Sequence, residues 1–279
     1  MPTVAEKRRA FRALHTDGCF VIPNPWDVGS ARYLQGLGFK ALATTSSGAA
    51  WSAGRPDGGL NLDETLAHFA ALAAATDIPV NADFTNAFAD QPEGVAANVG
   101  RALATGIAGV SVEDQIPGTT QLYDIDLAVE RVRAAREAID AESGNAMLVA
   151  RSECYLVGVQ SPLKVALHRL ERFAEAGADC LYAPGVRTAD DIRAIVAAVA
   201  PKPVNVLVGW SGSPTVAELA ALGVRRISVG GALARAAWAG FLAAAREIAS
   251  EGRFTALAGA TPGSELDAFF AADLGKRGS

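Results

Sequence analysis

Short apolar runs alternate with longer amphipathic stretches along the whole chain. The runs are CFVIPN (19–24), KALATTSS (40–47), IPVNADF (78–84), GVSVEDQ (109–115), MLVARSE (147–153), CLYAPG (180–185), PVNVLVG (203–209) and RRISVGGA (225–232). Their apolar residues are continuous rather than alternating, which is the pattern of parallel strands buried on both faces. Segments with helical spacing lie between them, among them 62–76, 128–139, 162–176 and 215–222. Asp63 and Glu64 favour a helix N-terminus, and Ser161-Pro162 reads as an N-cap followed by the first helical residue.

A glycine recurs where each helical pattern gives way to a strand, at Gly38, Gly106, Gly177 and Gly223. Glycine ends a helix in the left-handed conformation without a steric penalty. Repeated helix-to-strand junctions build a parallel sheet through right-handed crossovers. Eight such units predict closure into an α/β (β/α)8 TIM barrel. An open doubly wound sheet is the alternative, but its G-x-G-x-x-G signature is absent after the first run. Residues 1–279 read as a single barrel domain, with 254–279 a C-terminal helical extension built on SELDAFFAADL.

Composition supports a sizeable core, with 50% hydrophobic and 20% charged residues among 279. The net charge of −5 and the scattered basic residues provide no concentrated face for nucleic acid. Three cysteines, Cys19, Cys154 and Cys180, do not form a disulfide framework, so a reducing, cytoplasmic setting is expected. The N-terminal segment lacks the apolar stretch of a secretory signal, and no apolar run reaches membrane-spanning length.

Barrel chemistry sits at the C-terminal ends of the strands. Run two ends in Ser46, Ser47 and Gly48 and leads to Asp57. Run three ends in Asp83, run four in Glu113 and Asp114, run five in Arg151. Gathered carboxylates repel one another unless a cation or a shared proton intervenes. Oxygen-only ligation favours Mg2+, with Mn2+ as a substitute, over zinc. His15, His68 and His168 all fall in helical segments, which disfavours a Ser-His-Asp triad or a histidine-rich metal site. Lys40 and Lys202 precede their strands, so Schiff-base chemistry has no candidate lysine. Metal-stabilised enolate chemistry remains.

Plainer readings stand beside these. Asp83 could cap the next helix, Glu113 could be a buried ion-pair partner of Arg151, and Asp57 lies in a Pro-Asp-Gly-Gly turn signal. Ser47-Gly48 could be only a loop start, and Asp114 reads as structural. Cys154 reads as an inert buried thiol. Gly209–Gly212 and Gly230-Gly231 occupy the place where barrels commonly bind phosphate, which leaves a phosphate-ester enzyme as another reading.

The chain resembles the isocitrate lyase/phosphoenolpyruvate mutase superfamily along nearly its whole length. The resemblance is carried by 24–50, GRPDGG (54–59), IPVNADFTNAFAD (78–90), GVSVEDQ (109–115), 122–138, VARSE (149–153) and ALGVRRISVGGALARA (221–236). It implies a barrel whose last helix is exchanged between subunits of a homo-oligomer, dimer or tetramer. It also implies Mg2+ and a 2-oxo acid or its enolate. By resemblance, Ser47, Gly48 and Ala49 cradle the substrate carboxylate and Asp83 is the nearest metal ligand. Asp57 and Glu113 hold metal-bound waters, Arg151 faces the carbonyl oxygen, and Asn205 is a further polar contact. Two departures stand out. The catalytic cysteine segment of the lyase members is replaced by QIPGTTQLYD (115–124). Thr85 stands where the family often has an acid, and Ala87-Phe88-Ala89 replaces a Gly-Tyr-Gly turn.

These observations predict a Mg2+-dependent lyase or decarboxylase acting on a small 2-oxo acid or an oxaloacetate-like 2-oxo dicarboxylate. Glu113 and Arg151 are its catalytic candidates, 115–124 is a gating loop, and water or Tyr123 is the proton source. The alternatives are a non-catalytic 2-oxo acid-binding barrel and a phosphonopyruvate-type mutase or hydrolase.

Overall fold

In the computed structural model, residues 2–142 and 145–277 are described. Each apolar run contains a strand: β1 (Phe20–Ile22), β2 (Leu42–Ala43), β3 (Val80–Asp83), β4 (Gly109–Glu113), β5 (Met147–Arg151), β6 (Cys180–Tyr182), β7 (Val204–Leu207) and β8 (Arg226–Ser228). All pair in parallel in the order β1-β8-β7-β6-β5-β4-β3-β2. The ring closes where Ala43 N–H donates to the Pro23 carbonyl at 3.1 Å. The expected barrel of eight parallel strands is therefore present.

The helices are α1 (Val4–Leu14), α2 (Val28–Gly36), α3 (Ser46–Ser52), α4 (Leu62–Ala75), α5 (Pro92–Leu103), α6 (Ile125–Ala141), α7 (Pro162–Glu175), α8 (Ala189–Ala198), α9 (Val216–Ala221), α10 (Ala232–Glu251) and α11 (Gly263–Arg277). Asp63 and Glu64 lie in the first turn of α4, where Asn61 and Glu64 form a reciprocal cap. Ser161 does precede α7, but its φ is +56° and its side chain makes no capping hydrogen bond. Pro162 sets that helix start instead. The repeated glycines earn their place at Gly177 and Gly223, with φ of +104° and +89°. A Cβ there would also lie 2.6 Å from Arg136 Cγ and 2.8 Å from Val196 Cγ1 respectively.

Run two does not open a loop. The chain turns directly from β2 into α3, capped by Thr45, whose side chain accepts the Gly48 N–H. The main core lies between sheet and helices, with Phe69, Val99, Leu148, Leu170 and Phe173 all buried. Helix α1 closes the N-terminal end of the barrel by burying Phe11 against Ile22, Ala43 and Met147. The opposite end is left open for chemistry. Within α10 only Ala234 is buried. Helix α11, the helix expected from SELDAFFAADL, packs on α2 through the buried Arg32–Asp273 ion pair and a Tyr33–Phe269 ring contact. Among the described residues, no helix is long and apolar enough to cross a membrane.

Candidate active site

Arg151 ends β5 and gathers the carboxylates of its neighbours. Its Nη1 donates to Asp83 Oδ1 at 2.6 Å, and its Nη2 lies 3.0 Å from Glu113 Oε2. Its Nε donates to Glu153 Oε1 at 2.8 Å. Strand register explains part of this, because Glu113 of β4 is the direct cross-strand partner of Arg151. Asp83 comes from β3, one strand further round. Its second oxygen accepts the Ser46 N–H at 3.0 Å, which joins the start of α3 to the cluster. Asp83 does not cap the following helix, since Gln91 holds the N-cap of α5.

The electrostatics of this cluster are unbalanced. Asp57, Asp83, Glu113 and Glu153 face a single guanidinium. Burial pushes the Glu113 carboxyl up to about 8; the neighbouring carboxylates of Glu153, Asp83 and Asp57 add to the rise, and Arg151 opposes it. Asp57 is also raised, first by burial of its carboxyl and then by Asp83, while a hydrogen bond from Ser46 pulls the other way. Tyr182 lies under Arg151, with the guanidinium carbon 5.1 Å from the ring centroid. Burial pushes the Tyr182 hydroxyl up to about 12.

Two hollows meet at Arg151. A cavity of about 190 Å³ descends into the barrel, lined by Ser47, Asp57, Asp83, Tyr182 and Arg226 among others. An outer cleft of about 750 Å³ is lined by Thr85, Asp90, Glu113, Glu153, Pro117 and Gly118. The segment 115–122 folds over this cleft as a small hairpin closed by the Gln115–Leu122 bridge.

Several sequence-selected residues lie elsewhere or are already engaged. Ser47 lines the cavity, with its hydroxyl 3.1 Å from Thr45 Oγ1. Gly48 and Ala49 do not present free N–H groups as the cradle requires. Gly48 N–H is taken by Thr45 Oγ1 at 3.3 Å and Ala49 N–H by the Thr45 carbonyl at 3.0 Å. The first turn of α3 consumes them. Gly48 instead allows close packing, since a Cβ would sit 2.9 Å from Trp26 Cβ. Asn205 is fully buried beneath the cavity, its amide donating to Ser228 and its carbonyl accepting from Arg226. That engagement replaces the expected substrate contact. Tyr123 is buried and hydrogen-bonded to Asp90 and Asn86, away from Arg151, so it is not a free proton donor.

The Asp114 carboxylate is structural, bound by Glu153 N–H and Arg169. Cys154 is buried and its thiol is pushed up to about 11 by burial, as suits an inert thiol. The N–H groups of Val229 and Gly230 both donate to Asn24 Oδ1 at 2.9 Å, so the last loop does not offer them to a phosphate.

Glu153, Asn24 and Arg226 were not selected from sequence. Glu153 was within reach as the acid two residues after Arg151. Arg226 and Ser228 are inward-facing positions two apart on β8, but a continuous apolar run hides which face is inward.

The donor set fits a hard divalent cation in charge and ligand type: it is all oxygen, with carboxylates in excess. Asp83 would bind it, with Asp57 and Glu113 acting through water. Among the described residues, no group of three or more His, Cys, Asp and Glu side chains converges to hold an ion unaided. Such a site therefore relies on water and substrate oxygens, as magnesium commonly does.

An eight-stranded parallel barrel with a carboxylate–arginine cluster at the C-terminal ends of its strands has the layout of a TIM-barrel enzyme. The sequence profile of the phosphoenolpyruvate phosphomutase family matches residues 11–249, and the chain belongs to that family. It is thus a member of the PEP mutase/isocitrate lyase superfamily. A Burkholderia cenocepacia J2315 structure assigned provisionally as a lyase/mutase is 48% identical, with a TM-score of 0.92 over 96% of this chain and 97% of that one. Oxaloacetate decarboxylase of Pseudomonas savastanoi pv. phaseolicola is 31% identical over 78% of this chain and 76% of its own length. Oxaloacetate acetylhydrolase bound to 3,3-difluorooxalacetate is 27% identical, with a TM-score of 0.84 over 98% and 95% of the two chains.

Proposed function

We propose that this chain is a Mg2+-dependent carbon–carbon lyase that decarboxylates a small 2-oxo dicarboxylate of the oxaloacetate type. The observation that carries this reading is Arg151, held by Asp83, Glu113 and Glu153 at the junction of cavity and cleft. Relatives named for oxaloacetate chemistry support it. Decarboxylation breaks the bond between C3 and the leaving carboxylate. The electron pair moves into the C2–C3 bond and onto the carbonyl oxygen, CO2 departs, and a proton from water adds at C3.

The reaction needs an electron sink and no dedicated base. Arg151 supplies a fixed cationic donor for the developing oxyanion. Glu113 and Glu153 fix the guanidinium plane. Ser47 offers its hydroxyl to the substrate, and Leu156 and Pro184 add apolar surface to the cavity lining. A divalent cation bound at Asp83 would add positive charge at the same carbonyl oxygen.

A second reading, a barrel that binds a 2-oxo acid without turnover, is favoured by one observation. Thr85 stands beside the cluster where the family often carries an acid, and its φ is +47°. The chain acts as a homo-oligomer with its last helices at the subunit contact, because Phe241, Phe254 and Leu274 are exposed there. Its three free cysteines suit a reducing, cytoplasmic compartment.

The test is turnover and binding of pyruvate, oxaloacetate, 2-oxoglutarate and phosphonopyruvate, each with Mg2+, Mn2+ or EDTA. Metal-dependent release of pyruvate from oxaloacetate is expected. Binding without turnover would support the second reading. Turnover of phosphonopyruvate alone would make the chain a mutase or hydrolase, and no binding at all would overturn both readings.

A further inference from the structure

Two walls of the outer cleft meet at Tyr123. One wall is the segment 85–90 after β3, which lines the cleft with Thr85, Phe88 and Asp90 among others. The other is the hairpin 115–122 after β4, which lines it with Gln115, Pro117 and Gly118.

The first wall does not hold its shape by local preference. Thr85, Ala87 and Phe88 have φ of +47°, +60° and +53°, a region that a side chain with a Cβ disfavours. Groups from the helices impose it. Arg131 of α6 is buried and donates to the Asn86 and Asp90 carbonyls, each at 2.7 Å, and to the Ala89 carbonyl. Asn98 of α5 donates to the Ala87 carbonyl at 2.9 Å.

The second wall is braced within itself. Ile116 N–H donates to the Gln121 carbonyl at 2.9 Å, and Gln115 Nε2 donates to the Thr119 carbonyl at 2.7 Å. The base of the hairpin closes where Tyr123 N–H donates to the Asp114 carbonyl at 2.8 Å. Arg169 of α7 staples that base, donating to Asp114 Oδ2 at 3.0 Å and to the Tyr123 carbonyl at 2.8 Å. A hairpin closed in this way moves as one piece.

The Tyr123 side chain runs from this base into the strained segment. Its hydroxyl donates to the Asp90 carboxylate and accepts from Asn86 Nδ2 at 3.1 Å. Its ring packs on Arg131, with the guanidinium carbon 4.1 Å from the ring centroid. The same arginine therefore holds both the 86–90 carbonyls and the tyrosine that reaches them.

We propose that Tyr123 is a positioning residue, which couples the hairpin 115–122 to the strained segment 85–90 so that the two walls hold the cleft around substrate as one body. Resting on the reading of the cleft as part of the substrate site, this makes substrate binding depend on the Tyr123 hydroxyl. Bond breaking at Arg151 does not, because Tyr123 lies away from the reacting atoms.

Amide hydrogen exchange and oxaloacetate kinetics in Mg2+ test it on the full chain, with wild type, Tyr123→Phe, Asp90→Ala and Asp90→Asn. Phenylalanine keeps the ring on Arg131 and removes only the hydroxyl. Asp90 is exposed, so its variants leave the core intact and decide the matter if Tyr123→Phe does not fold. In Tyr123→Phe and Asp90→Ala, exchange should accelerate on the order of tenfold at Ala87 and Phe88 and at Ile116 and Thr119 together, the weight of one hydrogen bond to a charged group. Asp90→Asn should stay near wild type, since its side-chain carbonyl still accepts the hydroxyl proton. KM should rise about tenfold in the first two variants, with kcat within about threefold of wild type. Acceleration in one wall alone, or in neither, would overturn the proposal. So would a fall in kcat at unchanged KM, which would make Tyr123 a group acting in the chemical step. If the wild type turns over no 2-oxo acid, the functional reading fails, and the exchange pattern still decides whether the walls are coupled.

Discussion

Glu113 shows how far one residue's environment can depart from its sequence context. Its carboxyl is raised from 4.5 to about 8, chiefly by burial and then by the carboxylates around it. The folded protein thus holds a proton that the unfolded chain releases. Stability from this group is full below pH 4.5 and is lost as pH rises through about 8. Urea unfolding of the metal-free protein should therefore show wild-type stability falling between pH 5.5 and 8 more steeply than that of Glu113→Gln. Equal slopes would contradict the assigned shift. A bound cation reverses the sign, because it takes the ionised form, so Mg2+ affinity should rise across the same window.

At this scale the sequence exposed the strand-end residues best. Asp83, Glu113 and Arg151 each follow an apolar run, and topology alone brings them together. Gly48 and Ala49 were not legible, because the fate of their N–H groups depends on α3 starting at Ser46 rather than on a loop. Arg226 was hidden for a different reason: strands buried on both faces carry no polar alternation to mark the inward side.

Among the elements, α10 and α11 differ from the rest. A helix on a barrel ordinarily buries an apolar stripe against the strands. Helix α10 buries Ala234 alone, while Phe241 is 60% exposed and stacks edge-on against Trp238 at 5.2 Å. In the proposed homo-oligomer this exposed aromatic pair is the subunit contact. Light scattering should give an assembly larger than the 28.7 kDa chain, and Phe241→Asp should shift it toward the monomer. A wild-type monomer at micromolar concentration would contradict the assignment. The existence of α11 was legible from SELDAFFAADL, but its seat on α2 was not, since the Arg32–Asp273 pair joins residues far apart in sequence.

The whole molecule is a closed ring whose two ends do different work. Helix α1 seals one end with Phe11, which makes the cavity blind and gives it a floor. The other end collects side chains from β3, β4 and β5 around Arg151. The ring was readable because eight runs and recurrent glycine junctions repeat one unit, and repetition survives local ambiguity. The division between mouth and floor was not, because it depends on α1 folding back beneath the strands. The central claim is that the Arg151 cluster is the reaction centre. It is tested most directly by kcat/KM for oxaloacetate in Mg2+, comparing wild type with a folded Arg151→Gln variant. A loss of about 10²- to 10³-fold is predicted, the usual consequence of removing one donor to a developing oxyanion; turnover at the wild-type rate would contradict it.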